Sequence, residues 1–371
     1  MKNKIHKYDF LIIGAGLIGA LTGLELIKKK FKVLVVEKNK QPLTDNRTLA
    51  VNANSKEFLS SLGLWNGLIN EPIKKIIILD EINDTPLEFE NLKELMGYVV
   101  YNKDLLKKAR SELKKKKSLI ENIDINLEKI NTNSPISIIN QWYSFNKIVI
   151  SAGKTSPLIS SSKKIEFKSS HTSCVGFFYH SFNHEDKAYE IFTKKGPLAV
   201  LPAPSKNKKF STFIYTSQEL ISHNKLKTII NKFFYKTHGK INFINSFKSF
   251  KISPHIRNIN KKNIFLLGDS LRSIHPVAGQ GWNLGIKDIQ TLSSLIDQYG
   301  FDDEKISSIY QSRRKLESSA YLAFTNVLNK LYENDSKMNK LIIKIGFQTL
   351  VKLSPVRNTF IDQAMGRLSL I

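Results

Sequence analysis

At 371 residues, with 41% hydrophobic and 10% aromatic content, the chain can bury one large core or two to three domains, which excludes a minimal scaffold and a disordered polymer. Lysine and arginine outnumber aspartate and glutamate 57 to 32, a formal charge of +25, but the lysines are scattered and no arginine-rich or RNA-binding motif accompanies them. The excess reads as compositional bias and no nucleic-acid partner is expected, while the single cysteine, Cys174, excludes a disulfide framework and a thiolate metal cluster, so no metal is expected either.

The first residues, "MKNKIHKYDFLIIGAGLIGALTGLEL", combine a basic leader with an apolar stretch. Asp9 interrupts the leader and Glu25 follows soon after, so the segment is read as mature structure and not as a secretory signal. No run reaches the roughly 18 apolar residues that span a bilayer. Tyr8 to Ile13 has strand length; Leu17, Leu21, Leu24 and Ile27 recur at helical spacing; Lys32 to Val36 is a second strand ending at Glu37. This is a βαβ unit.

Gly14, Gly16 and Gly19 form G-x-G-x-x-G at its strand-to-helix turn, with Ala15 between the first two. The first glycine permits the turn, the second admits a pyrophosphate to the backbone, and the third lets the helix pack on the strand so that its free N–H groups face the phosphates. Glu37, eighteen residues beyond Gly19, stands where an acid binds a ribose hydroxyl pair. NAD and FAD both satisfy this pattern.

Between Ser173 and Pro254 the character changes. "SCVGFFYH", "AYEIFT", "PLAVLPAP" and "FSTFIYT" predict an antiparallel sheet, joined by a strand from residues 73 to 96 and followed by the helix "LKTIINKFF". Phe177, Phe178, Phe213 and Tyr215 serve either as pocket wall or as core, and core is the expectation for most of them. Further on, the strand "NIFLL" delivers Gly268 and Asp269, whose carboxylate suits a polyol such as a ribityl chain. The stretch "VAGQGWNLG" then opens a helix expected to begin near Leu284, and from Phe301 onward the chain is helical. Two nucleotide-facing loops far apart in sequence suit a long dinucleotide in extended form.

The motifs "IIGAGLIG", "DNRTLAVNANSKEFLSSLGLW", "GYVVYNKDL", "KKGPLAVLPAP" and "GDSLRSIHPVAGQGWNLGIKDI" follow one another in the order found in FAD-dependent aromatic hydroxylases. The sequence resembles the para-hydroxybenzoate hydroxylase type, and within it the ubiquinone-biosynthesis hydroxylase family. The resemblance implies an α/β fold, α+β overall. A Rossmann-like FAD-binding domain is built from residues 1–72, 97–160 and 255–300, with a substrate domain from 73–96 and 161–254 and a helical region at 301–371.

It further implies that Gly14, Ala15, Gly16, Gly19 and Glu37 hold the ADP half of FAD, that Arg47 reaches the phosphates or the ring entrance, and that Asn102 lies near the pyrophosphate. Asp269 takes the ribityl chain, and Gly279, Gly281, Asn283 and Leu284 lie under the isoalloxazine. The implied reaction is hydroxylation of a polyprenylated phenol through a flavin C4a-hydroperoxide, with O2 and with NADPH or NADH as electron donor. The protein would be cytoplasmic, working on the inner face of a membrane and within a multi-subunit ubiquinone-biosynthesis complex.

Two departures stand out. "VISAGKTSP" occupies the place of the family's Gly-Ala-Asp-Gly motif, and Ser270, Leu271 and Arg272 replace its Ala-Ala-His. They keep another FAD oxidoreductase, or a non-catalytic flavin-binding subunit, in view. The residues implied to stand before the flavin are His275 and Pro276, though His275 equally suits a backbone-bonding role, and the catalytic base is left open.

Overall fold

The computed structural model describes residues 4–39, 46–83, 85–126, 132–153, 163–166, 171–219, 221–244, 247–258, 261–274, 280–334 and 336–367. The expected βαβ unit is β1 (Ile5–Ile13), α1 (Leu17–Lys28) and β2 (Val33–Glu37). There follow β3 (Thr48–Asn52), α2 (Ala53–Ser61), β4 (Asn70–Ile73), β5 (Lys75–Asp80), β6 (Leu87–Glu90), β7 (Gly97–Tyr101), α3 (Asn102–Lys115), β8 (Leu119–Glu121), β9 (Ile136–Ile138) and β10 (Gln141–Ile150). The middle of the chain supplies β11 (Lys163–Glu166), β12 (His171–His180), β13 (Lys187–Thr193), β14 (Gly196–Pro202), β15 (Phe210–Ser217), α4 (His223–His238), β16 (Ile241–Phe243) and β17 (Lys248–Ile252). It ends with β18 (His255–Asn258), β19 (Ile264–Leu266), β20 (Arg272–Ser273), α5 (Gln280–Tyr299), α6 (Lys305–Glu333), α7 (Lys337–Lys352) and α8 (Ser354–Ala364).

The central sheet runs β19-β10-β1-β2-β8 with every neighbour parallel, and β9 adds antiparallel to β10. A parallel sheet covered on both faces needs strands with continuous apolar runs, and Phe10–Ile13 of β1 and Val33–Val36 of β2 meet that need. Phe10, Ile12, Val33 and Val35 point into a core shared with α1, α3 and α5. Their neighbours Leu11, Ile13, Leu34 and Val36 point into a second core beneath.

The larger second sheet, β16-β12-β15-β14-β13-β5-β6 with β17 also on β12, contains the four expected antiparallel strands. Residues 73–96 contribute two strands rather than one, and β5 joins parallel to β13. A small sheet of β11, β18 and β20 straddles the expected boundary near residue 254, because β18 pairs with a strand from each side of it.

The second sheet buries an unusual group of histidines. His180 at the end of β12, His184 in the next turn and His238 at the end of α4 are all at most 5% exposed, and the His180 and His238 rings are centred 4.6 Å apart. Burial pushes His238 down to about 3, helped by the neighbouring imidazoles, and pushes His184 down to about 4 against the pull of Asp186. Between those values and the ordinary 6.5 the unfolded chain binds more protons than the folded one, so stability drains away as pH falls through that window. We expect the melting temperature to drop between pH 7 and pH 4.5, and His238→Phe to flatten the decline by up to about 1.4 kcal/mol per pH unit. Equal pH slopes for variant and parent in thermal melts would refute this account.

Candidate cofactor and active site

β1 ends at Ile13 and the chain turns into α1 through Gly14, whose φ of +98° lies where side chains are strained. A Cβ there would also stand 2.6 Å from the Ser151 carbonyl oxygen at the end of β10. A Cβ on Gly16, by contrast, would meet nothing within 4 Å. That open side faces a cavity of about 1290 Å³ lined by Gly14 and Gly16. Gly16 caps α1 without any side-chain hydrogen bond and the first turn carries no acid, so its N–H groups remain available to an anion.

Glu37, at the end of β2, also lines this cavity, with Oε2 accepting the Ala15 N–H at 2.6 Å. Arg110 of α3 braces both partners, donating from Nε to the Ala15 carbonyl at 2.7 Å and standing 3.3 Å from the carboxylate. The Asn39 N–H also donates to Oε1 at 3.1 Å, and since an ionised carboxylate has about four acceptor positions, room is left for a ribose hydroxyl beside these contacts. Arg110 had a sequence signal that went unused: it is a cation on the buried stripe that Leu105, Leu106, Ala109 and Leu113 give to α3.

Arg47, Asn102, Asp269 and Gly281 line the same cavity. Arg47 lies over the Phe250 ring at 5.4 Å, and its carbonyl accepts the Asn102 N–H at 2.9 Å. Asp269 sits in a 3-10 turn, Gly268–Ser270, directly after β19 and is exposed to the cavity. Thus seven of the expected residues, from Gly14 to Gly281, converge although some 260 residues separate the ends of the set.

The others do different work. Gly19 packs α1 onto the turn, since its Cβ would come within 1.9 Å of the Gly14 carbonyl oxygen. Helix α5 begins at Gln280, four residues ahead of the expected start near Leu284, so Asn283 and Leu284 fall inside it and do not line the cavity. Asn283 donates to the Ala50 carbonyl and accepts from Ser55 Oγ at 2.8 Å, tying α5 to β3 and α2. The Leu284 carbonyl accepts from Arg272 at 2.7 Å. Gly285 is explained by packing, because a Cβ would lie 2.6 Å from Ile18 Cδ1 of α1. His275, Pro276 and Gly279 lie outside the described residues.

Arg272 lines the cavity and anchors its floor. It donates to Asp288 at 2.9 Å, and the fully buried Asp288 also accepts from Arg314 at 2.6 Å and from the Gly268 N–H at 2.9 Å. Burial works against the charge on Arg314, but Asp288 and Glu317 outweigh it and raise its pKa. This cluster pins the 268–273 turn to α5 and α6.

Opposite the nucleotide turn, the cavity is walled by the second sheet. Val175, Phe177, Leu201, Ile214, Phe250 and Ile252 contribute apolar surface. The nearby hydroxyls are engaged within the sheet, Ser173 with Thr216 at 2.6 Å and Thr212 with the Gly176 carbonyl at 3.1 Å. Of the four aromatics singled out, Phe177 faces the cavity while Phe178, Phe213 and Tyr215 are fully buried core. Cys174 is buried, which pushes its thiol up.

Elsewhere Glu71, His184 and Asp186 gather closely enough to suggest a cation site. The Lys208 ammonium bonds both carboxylates, and His184 Nδ1 accepts the Asp186 N–H, so Nε2 carries the proton and is no ligand.

The residues present fit a flavin dinucleotide on their own geometry, with an uncapped glycine turn, an acid at the second strand and a cavity continuing to a second carboxylate turn. Comparison with known proteins agrees. The ubiquinone hydroxylase UbiL of Rhodospirillum rubrum is 23% identical over 98% of this chain and 90% of its own. The human mitochondrial ubiquinone biosynthesis monooxygenase COQ6 is 22% identical over 94% and 91%. Among solved structures, p-nitrophenol 4-monooxygenase PnpA of Pseudomonas putida superposes with a TM-score of 0.75 at 14% identity, covering 99% of this chain and 100% of its own. The rebeccamycin biosynthetic enzyme RebC with reduced flavin gives 0.67 at 13% identity, covering 98% and 77%. The family model described as the FAD binding domain matches residues 7–170 and 182–325, spanning the glycine turn, the Asp269 turn and most of the sheet between, and the chain belongs to that family.

Proposed function

We propose that this protein is an FAD-dependent monooxygenase that hydroxylates the ring of a polyprenylated phenol in ubiquinone biosynthesis, using O2 and NADPH or NADH. The observation that carries the reading is the single cavity, in which a dinucleotide cradle opens directly onto an apolar sheet wall. Gly14, Ala15, Gly16 and Glu37 would hold the adenosine and pyrophosphate portion, with Arg47 and Asn102 alongside, while Asp269 accepts from ribityl hydroxyls. Gly281, at the start of α5 and lining the cavity, would offer backbone N–H groups and a positive dipole end to the electron-rich ring system.

FAD bound here and reduced by NADPH or NADH would supply the two electrons that activate O2, one oxygen atom entering the substrate ring and the other leaving as water. The chain's own contribution is positional and dielectric. Phe177, Ile214 and Phe250 hold an apolar ring against the cavity and keep water from it, and the Arg272–Asp288 pair fixes the turn that carries Asp269. A polyprenyl substrate dissolves in lipid, so the reading includes a protein that works at the inner face of a membrane within a biosynthetic complex. No described helix is long and apolar enough to cross a membrane.

The test is reconstitution with FAD and a short-chain prenylphenol under isotopically labelled oxygen. The expected result is substrate-stimulated NAD(P)H consumption with label in the new ring hydroxyl. Flavin reduction without ring labelling, across phenols of different substitution, would assign the fold to another redox reaction.

A further inference from the structure

Exposed large apolar side chains are unevenly distributed in this protein. Of the twenty among the described residues, eleven fall between Leu316 and Phe360, ten of them in α6, α7 and α8 and Leu353 between the last two. On α7, Met338, Leu341, Ile342 and Ile345 follow helical spacing and are 67%, 54%, 46% and 54% exposed. The opposite side of the same helix, Ile343 and Phe347, is buried against β6 and β13 together with Ile361 of α8. The helix therefore has two apolar faces, and only one is covered. On α8, Val356 and Phe360 continue the uncovered surface, with Phe360 near Phe324 of α6 at 6.4 Å between ring centres.

The charge around this surface is predominantly positive. Residues 336–364 contain Lys337, Lys340, Lys344, Lys352 and Arg357 against the single acid Asp362, and all four lysines are exposed. Two copies joined face to face would bring these cations together, at a cost that isolated apolar contact must overcome. An anionic bilayer offers the complementary charge and an apolar interior at once.

We propose that α7, with the adjoining exposed parts of α6 and α8, is the surface by which the protein docks on anionic lipid. Leu341, Ile342 and Ile345 enter the headgroup boundary, and the lysines contact lipid phosphates. Leu201 lines the cavity and also packs against the extended apolar cluster that takes in Ile343 and Phe347, so one continuous core links the docking helix to the cavity wall. The proposal rests on the functional reading only for the biological purpose of docking; the binding itself follows from the surface.

The experiment is co-sedimentation of the FAD-loaded full chain with vesicles of phosphatidylcholine alone or mixed with phosphatidylglycerol. The anionic vesicles are expected to capture at least about fivefold more protein, and high salt to weaken the capture. Leu341→Asp/Ile345→Asp is expected to lower it about tenfold or more, and Lys340→Glu/Lys344→Glu to abolish the preference for anionic lipid. Both variants carry exposed substitutions, and unchanged melting temperature and flavin content verify their folding. The proposal is overturned if the parent protein stays in the supernatant, if it binds neutral vesicles equally, or if both variants bind like the parent. It is also overturned if light scattering finds a dimer that the aspartate variant dissolves while lipid is ignored. Lipid capture without any hydroxylase activity would retain the docking surface and remove the functional reading; hydroxylation without capture would do the reverse.

Discussion

Gly19→Ala is expected to yield a protein that has lost most of its affinity for FAD and melts at a markedly lower temperature. The added methyl carbon would lie 1.9 Å from the Gly14 carbonyl oxygen and 2.2 Å from Ser151 Oγ. The Ser151 hydroxyl can rotate aside, but the Gly14 carbonyl cannot retreat. The Gly14 N–H is bonded to the Val36 carbonyl at 2.8 Å and the Ser151 N–H to the Ile13 carbonyl at 2.8 Å, so the turn is locked between β2 and β10. Helix α1 must instead lift from the sheet, loosening the core around Leu21, Leu24 and Val35. Overpacking against fixed backbone belongs at the upper end of such penalties, about 3 kcal/mol, and an equal loss in cofactor binding is roughly a hundredfold.

Gly16→Ala provides the contrast, because its methyl would enter open cavity and touch no protein atom within 4 Å. Its melting temperature should match the parent while FAD affinity falls, as the methyl group occupies space at the turn where pyrophosphate is expected. Flavin-fluorescence titration and thermal melts separate the two outcomes. A Gly19→Ala protein that takes up FAD as the parent does would show that this turn is not the cradle.

The first half of the cradle was readable because its information is local. A short apolar run at Phe10–Ile13, three glycines at fixed spacing and Glu37 all lie within one stretch of about thirty residues, and backbone geometry ties each to its role. The second half was readable only in part. Gly281 lowers helical propensity and sets the expected start of α5 beyond it, near Leu284; contacts from Asn283 to Ala50 and Ser55 hold the earlier turn helical. Starting the helix at Gln280 changes which residues face the cavity, leaving Gly281 on it and turning Asn283 and Leu284 away.

Sequence separation hid the rest. Arg110 reaches Ala15 across 95 positions, and β5 adds parallel to β13 after more than a hundred residues, neither of which local periodicity records. The Arg272 substitution was visible as a departure, but its meaning was not, because Asp288 and Arg314 give no sign of contact until α5 and α6 pack together.

That buried cluster leads to the second large effect. Asp288→Ala is expected to destabilise the protein by about 3–5 kcal/mol, since it leaves two guanidinium groups inside the fold with Glu317 as their remaining acid partner. It also strips the acceptor from the Gly268 N–H, so the turn bearing Asp269 loosens and FAD binding weakens along with stability. Asp288→Asn should cost less, because an amide oxygen can still accept from Gly268 or from one arginine. The decisive comparison is the double replacement Arg272→Met/Asp288→Leu, which removes a cation together with its anion and leaves Arg314 paired to Glu317. If uncompensated charge is what destabilises Asp288→Ala, the double variant will be more stable than that single one, with a coupling of at least about 1 kcal/mol in denaturant melts. Additive losses would mean that the three groups act only as packing volume. The fixing of the cavity floor would then have to come from the helix contacts of Asn283 and Gly285 instead.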